Sequence, residues 1–271
     1  MIPPALGDAV AQADRAPTDR AAALLRPFLD HIGWFHDLLA RGCAAMAADP
    51  LHLPDLRASR NGMARHLVIA RTSRIWLTAT TLDRHGGQPA GRVHFSGRRI
   101  LCRPLNAPLS GDVFRLEDER AVPDGKCHIA PDDLLDMDER RCALRLHPGD
   151  GPLMILRAQI APEGPVRSRI HDCASGETIA LADVDEEQGR ALMLLSLLRL
   201  QRRTDAAPDF AAALTAPLPA QRWAVMREYL ALDTMAALPT LRVMGRDEPD
   251  DRVRALARTT LAHIDAAPCP A

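Results

Sequence analysis

Between residues 58 and 184 the apolar residues come in short runs of about four to eight, broken at close intervals by turn-forming residues. No other feature of the chain restricts its fold as much. The runs fall at 66–70, 74–79, 92–95, 99–102, 113–116, 142–146 and 153–160, and each is rich in Val, Ile, Leu, Phe or Trp. Gly86-Gly87, Ser96-Gly97, Pro123-Asp124-Gly125 and Pro148-Gly149-Asp150-Gly151 punctuate them. Residues 167–173 and 178–182 flank Ala174–Glu177 as the arms of a hairpin would. About seven to nine short strands at this spacing predict an antiparallel β-sandwich or small barrel. An open sheet packed on an N-terminal helix is the other arrangement these runs allow.

The flanks have a different period. Residues 1–17, rich in Ala, Pro and Asp, read as a loose leader. Thr18 then suits a helix N-cap, with Asp19 in the first turn, where a negative charge meets the positive end of the dipole. Leu24, Phe28, Ile32, Phe35, Leu39, Cys43 and Met46 follow at spacings of three and four, which predicts one apolar helical stripe. Pro27 marks a kink in it and Asp49-Pro50 its end. Beyond Asp185, which with Gln188 resembles a capping box, helices are predicted at 188–203, 208–216, 220–232, 234–245 and 249–264. The expected fold class is therefore α+β: an N-terminal leader and helix over 1–57, a β-rich domain over 58–184, and a helical domain over 185–271 with a short disordered tail.

Composition removes several functions. The formal net charge is −1 and the pI about 6.8, so no overall basic field favours nucleic acid. Lys126 is the only lysine, and with abundant Ala, Pro and Asp the many arginines read as the imprint of a GC-rich genome. The six cysteines form no CxxC pair, the N-terminus lacks the apolar core of a secretory signal, and the run 191–198 is too short to span a bilayer. A cytoplasmic protein with reduced thiols and no membrane partner is expected.

Two resemblances follow. Residues 236–244 with Pro239 inside, then Asp247, Asp250, Asp251 and Val253-Arg254, then Ala257 and Leu261, resemble a HEAT repeat. That likeness implies an A helix bearing a proline and a B helix capped by Asp250 and Asp251, with Val253 and Leu256 inward and Arg254 reaching a neighbouring helix end. Residues 222–233 echo the same B helix about 31–32 positions earlier, as stacked helix pairs would, with Gln221-Arg222 in place of Val-Arg. The middle region, through its strand order and the turns at 123–125 and 147–150, is similar to the cupin-type β-sandwich of bacterial proteins of unassigned function. Metal-binding cupins carry a His-x-His pair followed by a Glu and a later His; no His-x-His occurs among the ten histidines here.

Candidate chemistry is sparse. His94, His128, His147 and His171 lie in the β-rich region, where strands could gather three of them, with Asp150 or Asp172, into a centre for a divalent transition metal. Turn and surface positions explain the same histidines without a metal. Lys126-Cys127-His128 places a thiol between two basic groups, the setting of a reactive thiolate, although neighbouring strand residues point to opposite faces. Asp132, Asp133, Asp136, Asp138 and Glu139 form an acidic run that could hold a hard cation, without the spacing of a calcium loop. No GxSxG, GxxxxGK[ST] or GxGxxG string occurs. In the helical region Arg222, Trp223 and Arg254 are candidate anchors for a protein or peptide partner. The reading favoured by the sequence is a non-enzymatic accessory or interaction protein with no cofactor. The alternative is a cupin-like, metal-dependent enzyme or small-molecule sensor that uses a pocket in the β-rich domain.

Overall fold

A computed structural model describes residues 2–49, 51–52, 56–61, 64–83, 91–184 and 186–266. The Gly86-Gly87 turn, Asp185 of the capping box, Pro50 and the tail from residue 267 lie outside these. The chain divides into two compact units, Met1–Ala182 and Asp183–Ala271.

The first unit opens with three helices, α1 (Pro4–Arg15), α2 (Thr18–Asp30) and α3 (Gly33–Ala48). Residues 4–15 are thus a helix and not a loose leader. Pro4 sits at its start, where a missing N–H costs nothing, and Leu6, Ala9, Val10 and Ala13 are buried. Two of its four buried positions are alanines, which is why the stripe escapes a search for large apolar residues. The long stripe from Thr18 is likewise two helices. Pro27 stays inside α2, and the chain breaks at His31 and Ile32.

Among the described residues twelve strands follow: β1 (Arg57–Asn61), β2 (Ala64–Arg71), β3 (Ile75–Leu82), β4 (Arg92–Phe95), β5 (Arg99–Pro104), β6 (Leu109–Glu117), β7 (Arg120–Ile129), β8 (Leu135–Asp138), β9 (Cys142–Leu146), β10 (Leu153–Ile160), β11 (Val166–Asp172) and β12 (Thr178–Val184). They form a six-stranded sheet in the order β1-β2-β3-β10-β5-β8 and two three-stranded sheets, β7-β6-β9 and β12-β11-β4. The β-rich region is an antiparallel sandwich, as the strand rhythm predicts.

The six-stranded sheet is covered on both faces, so its central strands read as almost continuous apolar runs. Ile75, Leu77, Leu101, Leu156, Ala158 and Ile160 point outward and pack with Leu6, Val10, Leu25, Leu29, Phe35 and Leu38 of the helices. Arg103, from the same outer face of β5, donates to the carbonyls of Leu29 and Asp30 at the end of α2, where a cation suits the negative pole of the helix. On the inner face Ile100, Cys102, Leu135, Met137 and Ile155 meet Leu109, Leu144 and Leu146 from the β7-β6-β9 sheet.

One turn signal is misread by sequence alone and one turn is missed. Pro123-Asp124-Gly125 is not a turn: it lies inside β7, the edge of its sheet, beside a register shift between Asp112 and Phe114. The β6–β7 turn is Asp118-Glu119, closed by the Glu117–Arg120 pair, with φ of 46° and 63°. Two consecutive positive φ values define a type I′ turn, which normally signals itself by Asn-Gly.

The second unit contains α4 (Glu186–Leu200), α5 (Ala207–Ala213), α6 (Pro219–Leu232), α7 (Thr234–Asp247) and α8 (Asp251–Ala266). They close over one core of Leu195, Phe210, Val225, Met226, Tyr229, Ala237, Leu241, Met244, Val253 and Ala257. Phe210 and Tyr229 stack with ring centroids 5.7 Å apart. Asp250 caps α8 by accepting the Val253 N–H at 3.0 Å. Leu256, expected to face inward, is 45% exposed. Among the described residues no helix is long and apolar enough to cross a membrane.

Candidate functional site

Strand register builds the site. Val68, Thr78, Arg157, Cys102 and Leu135 are paired in one row across β2, β3, β10, β5 and β8. The next row is Trp76, Gln159, Ile100 and Met137. Because side chains alternate across a strand, Arg157 and Gln159 point to the inner face while Leu156, Ala158 and Ile160 serve the core under the helices. There they line a cavity of about 380 Å³ together with His66, Trp76, Thr78, Thr80, His94, Ser96, Arg98 and Glu139. Its remaining wall is apolar and includes Ile100, Leu109, Leu135, Leu144, Leu146 and Ile155.

The polar groups converge on one another. Arg157 Nη2 donates to Glu139 Oε2 at 3.3 Å. With its amide turned to suit the network, Gln159 accepts from both terminal nitrogens of Arg157 at 3.0 Å. Ser96 donates a short hydrogen bond to the same Glu139 oxygen. His66 Nδ1 lies 2.9 Å from Thr80 Oγ1, which is 3.1 Å from Thr78 Oγ1. His94 Nε2 lies 2.7 Å from Ser168 Oγ. Trp76 Nε1 is buried and has no partner among the described residues. Burial, reinforced by the Arg157 charge, holds the His66 imidazole below its usual range. Burial does the same for His94; Arg157 and Arg98 add to it, against a pull in the other direction from Glu139. Both rings are neutral at pH 7.

Ser96 and Glu139 are held by the turn that passes the chain from β4 to β5. Gly97 has φ of +73°, and a Cβ there would sit 2.2 Å from the Arg167 carbonyl oxygen, so only glycine fits. The Gly97 N–H donates to the Glu139 carbonyl at 3.2 Å, and the Glu139 N–H donates to the Arg98 carbonyl at 2.7 Å.

Of the four candidate histidines, only His94 lines this cavity. His128 and His147 stand on the outer face of the β7-β6-β9 sheet, engaged with Ser110 at 2.8 Å and Asp112 at 3.0 Å. His171 is fully buried, its Nδ1 3.0 Å from the Gly176 carbonyl and its ring edge-on to Phe95 at 5.2 Å. Asp172 is turned into the β11–β12 hairpin, where it accepts the Ala174 and Ser175 N–H groups. Among the described residues no three His, Cys, Asp or Glu side chains are grouped to hold a metal ion.

The acidic run disperses among arginines: Asp132 to Arg103, Asp136 to Arg26 and Arg99, Asp138 to Arg140, and Glu139 to Arg157. Burial pushes the Cys127 thiol up, the opposite of what a reactive thiolate needs, and it drives Cys102 on the cavity floor to about 12. Arg222 pairs with the almost buried Glu248 and donates to the Ala216 and Pro217 carbonyls. Arg254 is spent on the Glu248 carbonyl and Asp251, and Trp223 packs on the helical core.

The signal that could have found the cavity lies in 153–160. Two long polar residues, Arg157 and Gln159, occur two apart in a run otherwise apolar and, apart from Met154, buried on both faces.

No family model matches the chain, the HEAT-like repeat included, and no curated protein matches it. Several solved structures are similar to it. Hydroxypropylphosphonic acid epoxidase from S. wedmorenis is 12% identical, with a TM-score of 0.31 over 40% of this chain and 58% of the epoxidase. An iron(II) form, FeII HppE, is 8% identical with a TM-score of 0.30 over the same shares of the two chains. HutD from Pseudomonas fluorescens SBW25 is 14% identical, with a TM-score of 0.29 over 42% of this chain and 60% of HutD. The chain thus spans less than two thirds of the length of each.

These are cupin-fold proteins, each similar to less than half of this chain. Two expectations are corrected. The non-enzymatic reading, in which the helical face binds a protein or peptide, is withdrawn: Arg222 and Arg254 are engaged within the helical unit and Trp223 packs on its core. The expectation that the protein has no cofactor is withdrawn with it. A metal nevertheless does not fit the donors present. His66, His94 and Glu139 are not grouped as ligands, and the guanidinium of Arg157 faces the carboxylate a cation would need.

Proposed function

We propose that the protein acts through the cavity of its cupin-like sandwich, which binds a small organic molecule. One observation carries this reading. Arg157, Glu139, Ser96, His94, His66 and Trp76 come from five different stretches of the chain and converge on one cavity, against an apolar opposite wall. Apolar lining with a few convergent polar groups is the general character of ligand pockets, and about 380 Å³ is at the small end of their range. A core built only for stability would not collect titratable groups around a void.

The hydrogen bond from Ser96 to Glu139 inside the cavity favours a second, more specific reading: an enzyme that moves a proton. A carboxylate positioned by a hydrogen bond that it accepts from a hydroxyl is placed to take a proton from a bound molecule and return it.

Trp76 provides the test. The chain has three tryptophans, and replacing Trp34 and Trp223 by Phe leaves the cavity indole as the only one. Titrating that variant with a library of small polar organic molecules is expected to give a saturable change in fluorescence for some members. Filling the cavity by Leu135→Trp in the unmodified chain should abolish their binding in calorimetry. If no member binds, or if binding survives the filled cavity, the reading fails.

A further inference from the structure

We infer that β12 is where two copies of this chain meet, pairing antiparallel about a two-fold axis at Ala180. The inference is independent of the cavity and of what fills it.

Among the described residues the three sheets end in six edge strands: β1 and β8, β7 and β9, β12 and β4. An edge strand presents a row of free N–H and C=O groups, and proteins blunt such edges with charge, proline, bulges or shortness. Five of the six are blunted here. β1 carries the exposed Arg57 and Arg60, and β9 carries Arg145. β7 holds Pro123 and Lys126 beside a register shift. β4 and β8 are only four residues long. β12 has none of these devices. It runs for seven residues, and Thr178-Ile179-Ala180-Leu181-Ala182 contains neither charge nor proline. All five are exposed, Ile179 at 47% and Leu181 at 53%. Both faces and the outer edge of an apolar strand are left for something else to cover.

The backbone faces the right way. The Glu177 carbonyl points to β11, where it accepts the Asp172 N–H at 2.9 Å. Backbone groups alternate along a strand, so the N–H and C=O groups of Thr178, Ala180 and Ala182 point to the open side. Among the described residues they have no partner there.

The occupant follows from the order of the residues, because the segment complements itself. With Ala180 opposite the partner's Ala180, Thr178 falls opposite the partner's Ala182, and these are hydrogen-bonded pairs that exchange two bonds each. Ile179 falls opposite the partner's Leu181 in a non-hydrogen-bonded pair, the kind that brings side chains closest. The outward donors thus find acceptors, and the two exposed apolar residues cover their own counterparts. Such a contact uses the same patch on both copies and closes at two. Glu177 comes opposite the partner's Asp183 at either end, and like charges there confine the pairing to the five central residues. One short strand pair buries less than the roughly 1,200 Å² of stable complexes, so a dissociation constant on the order of 10 µM is expected.

Sedimentation velocity on the full chain should therefore show a dimer at about 100 µM and a monomer at about 1 µM. Ala180→Pro removes an outward N–H and leaves the β11 ladder whole. It should keep the chain monomeric at about 100 µM with an unchanged circular dichroism spectrum. Cross-linking gives a gain that a misfolded variant cannot imitate. With Cys43 and Cys269 replaced by serine, Ala180→Cys sets two thiols across the axis with Cα atoms about 5.5 Å apart, and mild oxidation should link the dimer. Thr178→Cys, whose counterpart lies opposite Ala182, should link at least about tenfold less. A chain that stays monomeric at about 100 µM overturns the inference. So does a dimer that survives Ala180→Pro, or equal linking from positions 178 and 180, since each places the contact elsewhere.

Discussion

The two units treat buried polar groups in opposite ways. In the helical unit Arg222 and Glu248 form an ion pair whose side chains are 16% and 5% exposed, and the remaining Arg222 donors go to the Ala216 and Pro217 carbonyls. The charge is neutralised and the donors are used, so the pair fastens α6 to the α7–α8 corner and has nothing left for a ligand. In the β-rich unit Arg157 and Glu139 also meet, but more loosely, at 3.3 Å, beside an unpartnered indole N–H and a void. A saturated pair points to architecture, and an unsaturated one facing space points to binding. Burial of an arginine alone does not separate the two cases; the inventory of its donors does.

The largest test of that contrast is to remove one acid from each pair. Glu248→Gln strands a buried guanidinium and is expected to destabilise the helical unit by about 3–5 kcal/mol. Glu139→Gln keeps an acceptor for Ser96 and leaves Arg157 bonded to Gln159, so it is expected to cost less, about 1 kcal/mol. Urea denaturation of each variant measures both; equal costs would dissolve the distinction. Next in size is the turn that holds Ser96 and Glu139. Gly97→Ala places a methyl against the Arg167 carbonyl at a left-handed φ and should cost about 1–3 kcal/mol, with ligand binding weakened alongside.

Acid separates the units by pH window. His66 and His94 have folded-state values below the ordinary 6.5, so the unfolded chain takes up protons first. Their contribution to stability is complete above about pH 6.5 and declines as the pH falls toward their folded-state values. Hydrogen bonding to Arg222 lowers Glu248 from 4.5, so its contribution persists to lower pH and declines only below about 4.5. Between pH 7 and 5, the hydrogen-exchange protection factors of the β-rich backbone amides, taken relative to the intrinsic rate at each pH, should fall while those of α6 and α7 hold; a parallel fall in both would refute the assignment. The smallest effect is Trp76→Phe. It deletes a buried donor that has no partner, so thermal stability should stay within about 1 kcal/mol of the parent, or rise. A large loss would mean that the indole N–H has a structural acceptor.

Much of the sandwich is legible in the sequence because its central strands have no solvent face. The runs at 99–102 and 153–160 could be little other than interior strands once their length and their flanking turns are considered. What escapes is of two kinds. Local conformation escapes where the usual residue is missing: Asp118-Glu119 makes a type I′ turn without glycine, Pro123-Asp124-Gly125 sits within an edge strand, and α1 buries alanines in place of leucines. The site escapes because register assembles it. Thr78 meets Arg157, and Arg157 meets Cys102, only when β3, β10 and β5 pair, and no spacing along the chain encodes that meeting. His94 could be singled out as a histidine in the right region, yet His128, His147 and His171 looked the same on paper. The sheet's alternation and the hairpin turn then sent them elsewhere.

Strand β10 carries two independent alphabets. Leu156, Ala158 and Ile160 belong to the helix-packed core, while Ile155, Arg157 and Gln159 face the cavity. Mutational drift at the odd-numbered positions can therefore retune what the cavity accepts while the even-numbered ones keep the scaffold folded. Descendants of this chain could diverge in chemistry along a single eight-residue segment without crossing an unfolded intermediate.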